Sequence, residues 1–450
     1  MTDLLVYIVF FVALFFIIYR DKEDRFLALF LSTIFFPASV GFIESPQLTP
    51  RHVFLYTFFA IECLKNYNSF KVSIFKLPFL LPLSFVLISF ILTILTTEGF
   101  ASKAFYQLVR SFLDLYGYLI AGYLIGLRIN LELSLQKAYW FLIAFGLLGI
   151  IEGVLHLNYI YPMICSAFPE YDGFFGLGQS VSFRDSWRIR TMITTDYPTA
   201  LGTLLCVITL LYVPFLKKKN FSLLKIGFFV FVYFLNLYFC GCRTALVCTG
   251  AALLFFFVKK CHIAIKFFLA FICSVACILY AAFVIKSFSV EGQGSSLQLR
   301  ERQLLFSIAQ IADKPLFGNG MGYMKKYIFE TNQYGEVELD QDVMGLESII
   351  FSKLINNGFF GFGMYMLFNA WMFIWFYRKQ KVNTAAYSGY LIVFASTSFF
   401  LLSGNMTNAS AYVYIVLGML SGVLVTEQET QTEENPTDKF PEKLGEENVE

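Results

Sequence analysis

Apolar stretches long enough to cross a membrane run through the chain, and two polar segments interrupt them at about residues 156–196 and 286–347. A helix needs roughly 20 residues to span the hydrocarbon core. Windows of about that size fall at 3–19, 26–43, 50–64, 77–97, 107–127, 138–155, 197–216, 221–239, 243–258, 264–285, 350–376, 386–402 and 409–425. The windows 50–64 and 243–258 are short or polar, so the pattern predicts about 11–13 spanning helices. Residues 3–19 follow Met-Thr-Asp, with no basic lead and no small-residue cleavage site, and read as the first membrane helix. The pattern divides the chain into N-terminal helices (1–155), a first exterior segment (156–196), central helices (197–285), a second exterior segment (286–347), C-terminal helices (348–425) and a tail (426–450). That tail is acidic and is expected to be disordered on the cytoplasmic side.

Composition strengthens this picture. The 450 residues are 57% apolar and only 15% charged, where soluble domains carry about 25% charge. The expected fold is therefore an all-α polytopic membrane protein. A net charge of +2 gives no sign of a nucleic-acid partner. Cys206, Cys248, Cys273 and Cys277 sit inside apolar stretches as small hydrophobes, without metal-ligand spacing. Cys165 lies within the first exterior segment with no obvious partner, and Cys240 and Cys242 are too close in sequence for an easy disulfide. Three dispersed histidines form no metal site, and no cofactor is implied.

Basic residues set the orientation. Arg20/Lys22/Arg25, Lys65/Lys71/Lys76, Arg128/Lys137, Lys217/Lys218/Lys219/Lys225, Lys259/Lys260/Lys266 and Arg378/Lys379/Lys381 occupy alternate, short connections. Short connections rich in Lys and Arg stay in the cytoplasm, which puts both long polar segments on the opposite side.

Candidate chemistry gathers in those two segments. In the second, residues 297–312 have a helical period, with Leu297, Leu304, Leu305, Ile308, Ile311 and Ala312 as one stripe expected to face the membrane domain. Arg300 lies in that stripe and Arg302 points away from its centre. The guanidinium of Arg300 suits a phosphate; a snorkelling interfacial arginine or a salt bridge is the plainer alternative. Lys314-Pro315 ends the helix, and Gly318, Gly320 and Gly322 permit tight turns, which read as a structural turn rather than a nucleotide loop. Arg184, Arg188 and Arg190 precede the helix starting near Pro198, and Arg243 opens another. Glu347 is the acid best placed to take a proton from a hydroxyl, with Asp342 as alternate and helix capping as the plainer role. His156 and Asp196 are weaker candidates, and Asp114 is an ionisable residue within an apolar stretch.

These features resemble the bacterial O-antigen ligase and O-antigen polymerase superfamily over roughly residues 180–375. The matching stretches are Arg184–Pro198, Gly241-Cys-Arg243-Thr-Ala-Leu246, Arg300 followed by Ala309-Gln-Ile-Ala-Asp-Lys-Pro-Leu-Phe-Gly-Asn-Gly-Met-Gly322, and Asn357-Gly358-Phe-Phe-Gly361. The resemblance implies a glycosyltransferase of the bacterial inner membrane that takes glycans from an undecaprenyl-diphosphate carrier at the outer face. Its acceptor would be another carrier-linked glycan or lipid A–core, its surroundings membrane lipids, and a chain-length regulator a further partner. Family arginines that engage the diphosphate map to Arg188 or Arg190, Arg243 and Arg300. Where the ligase pattern carries histidine this chain has Glu347-Ser348. That departure favours a polymerase, with a ligase and a polysaccharide-related transporter as the alternatives.

Overall fold

A computed structural model of the chain describes residues 2–42, 48–95, 108–109, 112–168, 183–185, 188–219, 221–258, 296–312, 314–320, 323, 348–380, 383–403 and 407–434. Among these residues the fold is all-helical apart from one short antiparallel ribbon of β1 (Phe183–Asp185) and β2 (Arg188–Ile189). The helices are α1 (Thr2–Tyr19), α2 (Lys22–Phe35), α3 (Pro50–Phe75), α4 (Leu80–Leu95), a π-helical turn (Leu113–Gly117) leading into α5 (Tyr118–Gly126), α6 (Leu131–Leu155) and α7 (Ile160–Ala167). They continue as α8 (Pro198–Lys218), α9 (Leu223–Phe239), α10 (Arg243–Val258), α11 (Ser296–Ile311), α12 (Ile349–Lys379), α13 (Thr384–Ser403) and α14 (Thr407–Glu434).

Every predicted window but one falls on a helix, and 264–285 lies outside the described residues. Among the described residues five helices are long and apolar enough to cross a membrane singly, and the shorter α1, α9 and α10 are also apolar. The chain is thus a multi-pass membrane protein. Some boundaries move for local reasons. Helix α2 stops at Phe35 rather than reaching residue 43, because Pro37 lacks an N–H and forces its neighbour into extended backbone. Helix α3 runs on to Phe75, and its last stretch meets α4 at 90° across the Lys76–Phe79 connection.

Two helices form the centre. Residues of α8 from Ala200 to Leu216 and of α14 from Ala409 to Leu424 are buried throughout, which fits sequences that are apolar on all sides. Helix α14 crosses α5 through paired small-residue motifs, Gly122-Tyr-Leu-Ile-Gly126 and Gly418-Met-Leu-Ser-Gly422. A Cβ on Gly122 would overlap the Ile415 carbonyl, and one on Gly418 the Leu119 carbonyl. Backbones this close gain dispersion along their full length, the usual source of helix association in lipid. Helix α8 also packs on α9, α10 and α13, while α13 packs on α12 and α12 on α4.

The two ends of the bundle differ. At one end Glu62 is bonded to both Arg25, at 3.0 Å, and Arg128; Lys137 meets Asp24 at 2.6 Å; Lys218 and Lys219 meet Glu132; and Lys76 meets Glu429 at 2.7 Å. The connections that the charge pattern assigns to the cytoplasm therefore meet in space. The expected disorder after Val425 is corrected in part. Helix α14 continues to Glu434, helped by Glu and Gln residues that favour helix and by contacts of Glu427, Gln428 and Glu429 with Asn383, Lys379 and Lys76. Residues 435–450 lie outside the described part.

Candidate functional site

The end opposite the ion pairs carries those sequence candidates that fall among the described residues. Three constructions shape it.

The first anchors the polar segment after α6. Glu152, buried in the last turns of α6, accepts backbone hydrogen bonds from Tyr159 at 2.9 Å, Ile160 at 3.2 Å and Ile193 at 3.1 Å. One carboxylate thus ties the start of α7 and the strand-like approach to α8 to the same point. His156 is the left-handed cap of α6, with φ of 54°, where the chain leaves the helix. Its role in the described structure is to end a helix. Asp196 also builds structure: it accepts from the amides of Ala38 at 3.1 Å and Ser39 at 3.0 Å and from the Ser39 hydroxyl. Arg51, fully buried nearby, donates to the Phe36 carbonyl and to the Tyr412 hydroxyl.

Next to it, His52 lies 2.5 Å from Asp114 through Nε2, and its Nδ1 accepts from the Thr49 amide at 3.1 Å. An acceptor role for Nδ1 places the ring hydrogen on Nε2, directed at the carboxylate. Asp114 occupies the π-helical turn. Its position inside an apolar stretch is explained by this histidine.

The second construction brings two predicted arginines to one turn. The Nε of Arg190 donates to the Cys240 carbonyl at 3.0 Å, and the Thr191 amide pairs with Phe239 at 3.4 Å. Gly241, with φ of 65°, makes the turn, and Arg243 opens α10 exposed at the same corner. Arg190 and Arg243 are therefore neighbours around the α9–α10 turn. Arg184 and Arg188 lie on β1 and β2, and their side chains lie outside the described structure.

The third construction joins two sequence motifs. Helix α12 is broken at Gly358, where φ is 63° and ψ is −169°. A break at membrane depth exposes carbonyls on one side and amides on the other, which lipid cannot satisfy. The Lys314–Gly320 turn satisfies both. Asn319 and Gly320 donate their amides to the carbonyls of Ile355 and Asn356, at 2.8 and 3.1 Å. Phe359 and Phe360 donate theirs to Pro315 and Leu316, at 2.9 and 3.0 Å. Only glycine fits at the contact, since a Cβ on Gly318 would sit 2.6 Å from the Gly358 nitrogen. The structural reading of the glycine turn holds. Its function is to clasp a broken helix.

Helix α11 leads into this clasp and packs on α12, with Ile311 against Phe351, Leu354 and Ile355. Of the expected stripe Ile311 faces the bundle as read, and its other described members turn outward. Leu304, Leu305, Ile308 and Ala312 are exposed, while Gln303, Ser307 and Ile311 are buried. The small Ser307 lets the two helices approach, and the apolar face is left where lipid meets the exterior end of a membrane bundle. Seven residues make two turns, so the backbone position of Arg300 shares its phase with Ser307 on the packed side. Its side chain lies outside the described structure, as do Asp342 and Glu347 entirely. The cap of α12 is Ser348, whose Oγ accepts from the Ile350 amide at 3.2 Å and donates to Leu401 at 2.7 Å.

Sequence reasoning missed Lys353, Glu152, Arg51 and Glu62. The available signal was a charge within or at the edge of a spanning window, which in lipid marks a residue with a definite partner. A cavity of about 280 Å³ lies at the basic end, lined by residues including Asn130, Glu132, Lys218, Asn383 and Glu427, away from the candidate residues. No protein-family model matches this chain, and the search of curated proteins finds no match either.

Proposed function

We propose that this chain is a membrane glycosyltransferase that polymerises undecaprenyl-diphosphate-linked oligosaccharide repeat units at the outer face of a bacterial inner membrane. The observation that carries the reading is the clasp. The Pro315-Leu-Phe-Gly-Asn-Gly320 and Asn357-Gly358 stretches, both part of the resemblance to the O-antigen ligase and polymerase superfamily, are two halves of one hydrogen-bonded unit. That unit carries the Arg300 helix. Arg190 and Arg243 add cationic groups around the α9–α10 turn.

In this reading the acceptor hydroxyl attacks the anomeric carbon as the bond to the carrier diphosphate breaks. The leaving diphosphate takes the electron pair, and arginine donors offset its charge. Glu347 takes the hydroxyl proton. A single displacement inverts the anomeric centre, with neither metal nor covalent enzyme intermediate.

A broken membrane helix also suits a transporter, which uses unwound carbonyls to hold ions at the midplane. Here the carbonyls of Ile355 and Asn356 accept from the turn, an arrangement that favours the enzyme. Within the superfamily, Glu347-Ser348 in place of histidine favours polymerase over transfer to lipid A–core.

The test is reconstitution with defined carrier-linked repeats, alone and with lipid A–core. A ladder without core is expected; modification of core alone would make the chain a ligase. Substrate flux without glycan transfer in proteoliposomes would make it a transporter. Arg300→Ala and Glu347→Gln should each lower chain extension by about 10²-fold or more, and full activity in both would overturn the mechanism.

A further inference from the structure

Lys353 is a cation inside a membrane-spanning helix, and the mechanism above does not use it. It lies on the half of α12 before the break and is part-buried. Its amine sits 4.7 Å from the ring centre of Phe90 on α4 and 5.9 Å from that of Tyr365. Among the described residues it has no carboxylate partner.

Direction separates Lys353 from a lysine that merely reaches for water. Lysines near the ends of membrane helices extend toward the nearer aqueous face, and helical side chains lean toward the N-terminus. Lys353 stands in the second turn after the cap at Ser348, so both tendencies would carry its amine outward. The amine instead lies beside Tyr365, twelve residues further along, which is about 18 Å in an unbroken helix. The break at Gly358 makes that approach possible, and the turn from Lys314 to Gly320 holds the break.

Among the described residues the surroundings are also incomplete for a cation. Aromatic faces attract an ammonium only weakly, well short of its hydration. A polar pair lies one turn away along each helix, where Asn357 donates to Thr93 Oγ1 at 3.2 Å. Asn357 is four residues after Lys353 on α12, and Thr93 three after Phe90 on α4, so this pair borders the same cleft. An anion would complete the site. One that reaches an amine walled by rings on two membrane helices suits the head of an amphiphile, with its tail among the helices.

We propose that Lys353, walled by Phe90 and Tyr365, is the cationic centre of a site between α4 and α12 for a lipid phosphate headgroup. Resting on the function proposed above, the headgroup is the diphosphate of the polyprenyl carrier. The clasp then has a chemical purpose, since it fixes the half-helix that aims this amine.

The test compares full-length wild type, Lys353→Met and Lys353→Arg in detergent micelles, with lipid binding read by native mass spectrometry. The probes are undecaprenyl diphosphate, undecaprenol and phosphatidylglycerol. The dissociation constant for undecaprenyl diphosphate should rise about tenfold or more in Lys353→Met and stay within about threefold in Lys353→Arg. Undecaprenol binding should be unchanged. Loss confined to phosphatidylglycerol would keep the phosphate site and overturn its assignment to the carrier. Equal binding by wild type and Lys353→Met overturns the site. Thermal melting identifies a misfolded variant, and Lys353→Arg then carries the test through its retained binding against a variant lacking the Phe90 ring, Phe90→Leu, which should weaken diphosphate binding about threefold or more. If wild type fails to extend carrier-linked repeats while Lys353→Met loses diphosphate binding, the function falls and the site stands.

Discussion

Glu152 shows what a charge in a spanning helix can do for architecture. Its two oxygens accept from three amides that belong to separate pieces of chain, at positions 159, 160 and 193. Replacing the carboxylate by an apolar group leaves the buried amides without acceptors, at about 1–3 kcal/mol for each that cannot find water. Glu152→Leu should therefore lower the thermal stability of the detergent-solubilised protein strongly, by more than about 3 kcal/mol in all. Glu152→Gln keeps one carbonyl acceptor and should lose less than half as much. Equal melting of the two variants would show that these bonds carry no weight. The same logic covers Asp196, whose three donors come from Ala38 and Ser39. Neither role could be read from residue type alone, because a buried acid serving backbone amides looks in sequence like any acid beside an apolar run.

At the scale of elements, helices were the legible part and their faces were not. Apolar length fixes where a helix can span, so the windows over α6, α8, α12 and α14 were plain. The face that α11 turns inward depends on its neighbour, and here α12 offered Phe351, Leu354 and Ile355 while membrane awaited the other side. Amphipathic periodicity tells which residues share a face; it does not tell whether that face meets protein or lipid. Glycine spacing announced the turn at Gly318 and Gly320, yet its docking onto Gly358 joins segments distant in sequence. That docking makes a direct prediction. Gly358→Ala must place a Cβ at φ of 63° and against the turn. That backbone conformation, essentially confined to glycine, alone costs about 1–3 kcal/mol, and the overlap with Leu316 and Gly318 adds to it. Both Gly358→Ala and Gly318→Ala should release the turn, seen as new protease cleavage near Lys314 and as loss of transfer activity with the helical circular dichroism retained. Unchanged cleavage and activity in both would show that the clasp holds neither the turn nor the site.

The whole molecule rests on an alternation of charge that sequence revealed and space explains. Lysine and arginine clusters separated by hundreds of residues meet at one end because acids in the same connections pair with them: Glu62 with Arg25 and Arg128, Asp24 with Lys137, Glu132 with Lys218 and Lys219. The candidate arginines, Lys353 and the clasp lie at the other end. Each basic cluster resists translocation, and no single missed helix could leave the described ones together. This arrangement predicts a labelling pattern. With native cysteines replaced, Lys137→Cys and Arg378→Cys, both at exposed positions of the basic end, should react with an externally added membrane-impermeant maleimide only after the membrane is opened. Leu157→Cys and Arg243→Cys, exposed at the opposite end, should react while the membrane is sealed. Surface ion pairs contribute at most about 1 kcal/mol each, so Lys137→Cys leaves the fold in place and its reactivity reports sidedness rather than unfolding. Reaction of Lys137→Cys and Arg243→Cys from the same side would contradict the bundle itself. The reverse pattern, with Lys137→Cys reactive from outside, would keep the bundle, place the candidate site in the cytoplasm and overturn the proposed function.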